Sequence, residues 1–263
     1  FGHNFVRRVN FRADWRLSPV DEVQMRAGNM DIDAGRGFSD NPSNPQHDRF
    51  YASSFAQMDW RRTLGADEDL ALTVSHTQES YQDSVPYSLA YLGVNDSINL
   101  DASGTTRADA ITLQHTFRHG QGLRVVWGGE WRREQIDSKP VYNTSTAMTT
   151  EFNRLFTNAE WRLSPNVVMN AGLMAEHSSD SGASLAPRLM FNWHVVPGQT
   201  LRAGVARAFR PPSQLEKRGD IRHTYNNRLL QISTLSRGNI SPEQVLVHEL
   251  GYLGEFPQLG AGL

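Results

Sequence analysis

The sequence predicts an all-β fold, an antiparallel transmembrane β-barrel. Three observations predict it. Apolar and polar side chains alternate with a two-residue period over about eleven long segments. Short turns and longer loops succeed one another along the chain, and tryptophans stand at one end of successive hairpins.

Segment 3–17 sets the pattern. Phe5, Val9, Phe11, Ala13, Trp15 and Leu17 fall on one side, and Val6, Arg8, Asn10, Arg12, Asp14 and Arg16 on the other. A helix would scatter these arginines around its circumference, whereas a strand sends alternate side chains to opposite faces. Segments 22–33, 49–64, 69–82 and 106–118 continue the series. In 123–136, Leu123, Val125, Trp127 and Trp131 oppose Arg124, Glu130 and Arg132. Segment 150–163 follows, and 167–176 strains the pattern by placing Val168 and Met174 on its wet side. In 184–196, Leu185, Pro187, Leu189, Phe191, Trp193 and Val195 oppose Arg188, Asn192 and His194. Segment 200–210 sets Leu201, Ala203, Val205 and Phe209 against Arg202, Gly204, Ala206, Ala208 and Arg210, and 243–254 closes the series. Arg7, Asp109 and Arg207 fall on the apolar side, well away from their short turns. They are expected near the opposite interface, where a charge costs about 0–1 kcal/mol rather than the roughly 2–4 of mid-bilayer.

Length and punctuation distinguish a membrane wall from a soluble sheet. Most segments run to about 10–16 residues, against roughly 5–6 for a typical globular strand and roughly 9–11 for a tilted strand crossing hydrocarbon. Turns such as Ser18-Pro19-Val20-Asp21, Gly65-Ala66-Asp67-Glu68, His119-Gly120-Gln121-Gly122, Ser164-Pro165-Asn166 and Pro197-Gly198-Gln199 are short. Between them lie loops near 34–48, 83–105, 137–149, 177–183 and 211–241. Trp15, Trp60, Trp161 and Trp193 precede short turns, with Phe117 in the corresponding place, as a girdle at a membrane–water interface requires. The competing reading is a set of core aromatics in a soluble β-rich binding module, but core aromatics have no reason to gather at one end.

Composition removes other classes. Lys and Arg number 26 against 28 Asp and Glu, so a strongly basic nucleic-acid binder is excluded. With no Cys there is neither a disulfide framework nor a thiolate metal site. No run of even ten uninterrupted apolar residues occurs, which excludes helical membrane spans. Residue 1 is Phe with no basic and apolar leader behind it, so any signal peptide is expected to be removed or to lie upstream.

Motifs for chemistry fail on spacing. His115 and His119 lie about 13 Å apart along a strand, at about 3.3 Å per residue, too far to share an ion. His248-Glu249 begins a zincin-like pattern, but Tyr252 stands where the second His belongs. Gly120-Gln121-Gly122 opens like a dinucleotide fingerprint and continues into a β-segment, which makes it a hairpin turn. Asp31 and Asp33 open like a calcium loop, yet Gly35 and Pro42 occupy ligand positions. No Gly-x-Ser-x-Gly elbow occurs. The expectation is no catalytic residue, no metal site, no cofactor and no enzyme activity.

Three short motifs carry a family resemblance: Ala186-Pro187-Arg188-Leu189 ahead of Trp193, Phe209-Arg210-Pro211-Pro212 with Glu216 after it, and Ser241-Pro242-Glu243 leading into Glu249-Leu250-Gly251-Tyr252. In this order and strand context the chain resembles the barrel of TonB-dependent outer-membrane receptors. The resemblance implies a 22-stranded barrel, an N-terminal plug domain, and uptake of a scarce nutrient driven through the TonB complex. About eleven strands would then be an internal part of it, residues 1–263, without the plug and the C-terminal strands. Pro211 replaces the family's usual Ala. Haem receptors of the family carry a His in the interval where His223 lies, but Asn239-Ile240-Ser241-Pro242 does not reproduce their second box.

The resulting expectation is a bacterial outer-membrane importer for a ferric siderophore, with lipid and TonB as partners and no nucleic acid. A haem or cobalamin receptor and a passive porin-like channel are the alternatives. Wet-face arginines, including Arg12, Arg16, Arg124, Arg132, Arg154, Arg188 and Arg202, are expected to hold a hydrated lumen or grip a plug. Loops 83–105 and 211–241 should meet the solute, with His223, Tyr225 and Arg222 as its candidate contacts. The alternation also makes a mutational prediction. Leu113→Arg should impair assembly into lipid by about 2–4 kcal/mol more than Gln114→Arg, read from refolding into lipid vesicles.

Overall fold

The computed structural model describes residues 2–42, 44–256 and 261–262. All eleven segments form strands. They are β1 (Asn4–Arg16), β2 (Asp21–Arg36), β3 (His47–Gly65) and β4 (Glu68–Ser88), then, after a short β5 (Ser97–Asp101), β6 (Gly104–His119) and β7 (Leu123–Asp137). The helix α1 (Lys139–Tyr142) leads to β8 (Met148–Ser164), β9 (Val167–Ser178), β10 (Gly182–Val196) and β11 (Gln199–Arg210). A second short helix, α2 (Gln214–Arg218), and a hairpin of β12 (Asp220–Tyr225) and β13 (Arg228–Leu235) precede β14 (Glu243–Phe256) and β15 (Ala261–Gly262). Each long strand pairs antiparallel with its neighbour in chain order, from β1 to β14, and β15 follows at the far edge. Among the described residues β1 does not pair with the opposite edge, so the wall stays open.

The strands outrun the sequence boundaries mainly at the loop end. β4 continues to Ser88, where β5 pairs with it, so loop 83–105 is partly a hairpin. Loop 177–183 shrinks to the turn between Ser178 and Gly182, because β9 and β10 hold register to their ends. Segment 167–176, the least regular by alternation, is a full strand paired on both sides, since backbone pairing outweighs two misplaced side chains.

Register assigns the two faces. Trp15, Val23, Trp60, Leu72, Leu113, Gly129, Leu155, Ala175 and Leu185 lie opposite one another in a single row across nine strands. The same face carries Trp127, Trp131, Trp161 and Trp193, so all six tryptophans point one way. None is buried: Trp15, Trp161 and Trp193 are about half exposed, at 45%, 48% and 50%. The accessible surface is 17358 Å², against about 11,600 Å² for a compact protein of this mass. The apolar face therefore requires hydrocarbon, and a soluble module with central indoles is excluded. The outward charges have local partners. Asp109 lies 2.7 Å from His76 Nδ1, Arg7 stands over the Phe5 ring, and Arg207 stacks on Phe209 and donates to Gln244 at 3.0 Å. His115 is equally engaged: Trp127 Nε1 donates to its Nδ1 at 3.0 Å, which leaves the proton on Nε2 to donate to Glu68 at 2.9 Å.

One residue along, the opposite face carries a polar row: Asp14, Gln24, Asp59, Thr73, Thr112, Glu130, Arg154 and Glu176. Gln24 donates to Asp14 at 2.7 Å, and Asp59 accepts from Thr73 and from Arg26, both at 2.8 Å. Arg154 bridges Glu130 at 2.6 Å and Glu176 at 2.5 Å. The expected charge ladder is thus present as a belt of two bonded stretches, over β1–β4 and over β6–β9, which meet by register at Thr73 and Thr112. Glycine gives room for large rings on this face: a Cβ on Gly128 would come within 2.6 Å of the Phe156 ring. The belt makes Arg154→Leu costly, because it strands two acids of which Glu176 is nearly buried. The loss should approach the roughly 3–5 kcal/mol of a buried pair losing one member. Arg16→Leu, in an exposed pair with Glu22, should lose about 0–1 kcal/mol. Urea unfolding of both variants in lipid checks the difference.

Candidate functional site at the loop end

The longer connections meet beyond one end of the wall. Their base is a latch around Arg210, the last residue of β11. Its guanidinium donates to Glu216 at 2.9 and 3.1 Å and to Glu243 at 2.8 and 3.0 Å. Glu216, after the second sequence motif, and Glu243, at the head of the third, thus close on one side chain. Glu216 also completes a capping box on α2: Ser213 Oγ accepts from the Glu216 amide, and the Glu216 carboxylate accepts from the Ser213 amide. Arg210 above all, with the Ser213 amide, pulls the Glu216 carboxyl down to about 2.

Helix α2 is then pinned to the β9–β10 turn. Arg218 donates to Asp180 at 2.5 Å, Lys217 to the Asp180 carbonyl, and Gln214 to Thr150 at 2.6 Å. Beyond it stands the β12–β13 hairpin, whose turn residues Asn226 and Asn227 have φ of 47° and 60°, a left-handed pair that suits Asn. Tyr225 donates to Asp96 in the β4–β5 loop at 2.9 Å, and Asn143 after α1 donates to Asp220 at 3.3 Å. The Ser97 amide and the Tyr225 hydroxyl hold Asp96 below the usual carboxylate range, and Asp96 in turn raises Tyr225. Three loops are therefore tied into one layer.

The three candidate contacts lie on one strand of that layer with different surroundings. Arg222 is exposed and makes a bidentate pair with Asp220 at 2.7 and 2.9 Å. It borders a cleft of about 640 Å³ lined by Asp101, Lys139, Asn143, Asp220 and Thr224 among others. His223 is half-buried, its Nε2 3.1 Å from Ser233 Oγ across the hairpin. Tyr225 is the strut to Asp96. Lys139 and Asn143 join the site with no signal in their own segment, because α1 only meets β12 once the chain has folded. Among the described residues, His3, Asp33 and Asp48 bring ligand atoms within 4.8 Å of one another at the strand ends. They come from three separate strand ends, so no loop motif could announce them, and His3 and Asp33 form an ion pair at 3.1 Å.

A family model described as TonB dependent receptor-like, beta-barrel matches residues 3–262. The chain belongs to this family. Among curated proteins it is similar to the iron-regulated outer membrane virulence protein of Vibrio cholerae serotype O1, 22% identical over 222 residues, covering 82% of this chain and 32% of that protein. Among solved structures, a ferric enterobactin receptor of Pseudomonas aeruginosa matches 97% of this chain and 41% of its own, at 17% identity and a TM-score of 0.74. The siderophore receptor PirA of Acinetobacter baumannii matches 97% and 42%, at 14% identity and a TM-score of 0.71. The chain spans about a third of the length of the curated relative it matches. As a TonB-dependent receptor barrel the wall stands in the bacterial outer membrane, short turns towards the periplasm and loop layer outside.

The latch of this receptor barrel should respond to acid. The folded Glu216 carboxyl, at about 2, lies below its ordinary value of 4.5, so its contribution is complete above about 4.5 and is lost as the pH falls towards 2. A spin label at Asn226 should gain mobility over that interval. In Glu216→Gln it should already be mobile at neutral pH, with a much flatter pH response.

Proposed function

We propose that the chain forms part of the wall and outer mouth of a receptor that imports a ferric siderophore, energised through TonB. Residues 1–263 are part of the barrel, and the plug and remaining strands belong to other portions of the protein. The observation that carries this reading is the tied loop layer above a receptor-family wall: Arg210, Asp180, Tyr225 and Asn143 hold the loops together at the mouth. The names of the relatives support iron as the cargo. Loops anchored in this way present a fixed surface to a solute at the mouth, and a haem site would need His223 free of Ser233.

In this reading Arg222 meets the solute at the cleft, and His223 and Tyr225 shape the hairpin that presents it, with direct contact available at their exposed edges. The full-length protein, expressed in iron-starved cells, should take up one ferric siderophore from a panel that includes haem and cobalamin. That uptake should stop when TonB is removed. TonB-independent entry of small hydrophilic solutes at an equal rate would instead establish a passive channel. Arg222→Ala should weaken solute binding by about tenfold, equivalent to about 1.4 kcal/mol, measured by fluorescence quenching on the purified full-length protein.

A further inference from the structure

The neck of the first long loop carries charges of one sign. Asp33 stands near the end of β2 and Asp48 near the start of β3, so each leg of loop 34–48 brings a carboxylate. At the neck of the 211–242 loop the acids Glu216 and Glu243 share the Arg210 guanidinium. Here the group facing Asp33 is instead the His3 imidazole, with Nε2 3.1 Å from the carboxylate. A single imidazole carries at most one positive charge against two acids.

The three side chains share the outward face. The Gly35 amide donates to the His3 carbonyl at 3.0 Å, and Gly35 lies opposite Asp48, so a row across three strand ends reads His, Gly, Asp. Gly35 has no side chain, which leaves the space between imidazole and carboxylate open. Asp33 approaches that space from two residues along β2, on the same face. Its register neighbours are Phe5 and Phe50, so this half-buried acid has apolar residues on both adjoining strands. Ligand atoms of His3, Asp33 and Asp48 lie within 4.8 Å of one another. Ligands at about 2.0–2.2 Å from one zinc ion stand roughly 3–3.5 Å apart. His3 and Asp33 already have that spacing, and the exposed Asp48 reaches it by turning its side chain.

We propose that His3, Asp33 and Asp48 bind a divalent transition metal of the zinc class, which clasps the neck of loop 34–48. One imidazole nitrogen with two carboxylates suits such an ion, whereas calcium and magnesium favour oxygen ligands alone. The metal takes the place of the Nε2 proton of the ion pair, which passes to solvent, and its two positive charges answer both acids at once. Three protein ligands leave one position for water. The site shares no residue with the Arg222 cleft and is independent of the solute carried.

Zinc titration of the metal-stripped full-length protein against a fluorescent chelator tests the site. Only barrels with the heat-modifiable mobility of the folded state are scored. His3→Ala and Asp48→Asn should each remove one zinc-binding step, or weaken it by at least the roughly 10–100-fold that loss of an outer-shell partner costs. Asp31→Asn, the next acid on the outward face of β2, should leave that step unchanged. A nitroxide attached through Asp40→Cys should lose mobility when zinc is added, and His3→Ala should abolish the change. Zinc titrations unaltered by His3→Ala and Asp48→Asn, a nitroxide indifferent to zinc, or calcium acting as strongly as zinc would each overturn the proposal.

Discussion

The hydrogen bonding of the backbone in hydrocarbon governs this structure. An unpaired amide or carbonyl within a bilayer costs several kcal/mol, so a strand can cross only if neighbours satisfy both of its edges. The register from β1 to β14 meets that demand strand by strand for the interior of the wall. It also explains why the eleven long strands run from 12 to 21 residues. They are as long as a tilted crossing and its flanks require, rather than as long as a buried core would allow. The edge of β1, and that of β14 beyond its short pairing with β15, carry the same demand outwards, which closure of a barrel meets.

Once pairing is fixed, side chains have only two places to go, and the chemistry divides accordingly. Tryptophans, leucines and valines take the hydrocarbon, while arginines and carboxylates take the wet face. There a polar row from Asp14 to Glu176 crosses eight strands. No conventional core is possible in a wall one strand thick, and only Ala34, Leu89, Phe152 and Met190 are buried hydrophobics among the described residues. The belt supplies the cross-strand side-chain contact that a core supplies elsewhere. Exceptions such as Asp109 on the lipid side are held by a partner at the boundary.

The wall was legible because it has a period. Phe5 to Leu17 or Leu185 to Val195 announces a strand and its facing without any knowledge of neighbours, and the Trp-Arg-Leu-Ser-Pro repeats at 15–19 and 161–165 announce the turn end. The loop layer has no period. Tyr225 and Asp96 are far apart in the chain, and α1 is a single turn whose relation to β12 exists only in three dimensions. Arg222, His223 and Tyr225 could be chosen by type and location, but not sorted into a cleft residue, a hairpin bond and a strut. The β12–β13 hairpin itself was hidden, since Leu229, Leu230 and Ile232 read as irregular apolar letters inside a long loop.

The latch at Arg210 shows how part of that gap can be closed. A long loop above a membrane wall has no core to dock on, so the only rigid ground available is the strand ends and their turns. The loop from 211 to 242 uses both: Arg210 and Glu243 are the strand ends that bound it, and Asp180 is the turn beneath it. One guanidinium with two carboxylates fixes the angle at which the chain leaves β11 and rejoins β14, because its five donors form a planar fork. The spacing of the Phe-Arg-Pro-Pro and Ser-Pro-Glu motifs therefore has a mechanical reason. Their prolines keep the strand from running on, and their charges clasp the loop at its neck. In such barrels, a charged residue at the last strand position and an opposite charge at the first position of the next strand identify where an otherwise unreadable loop is held.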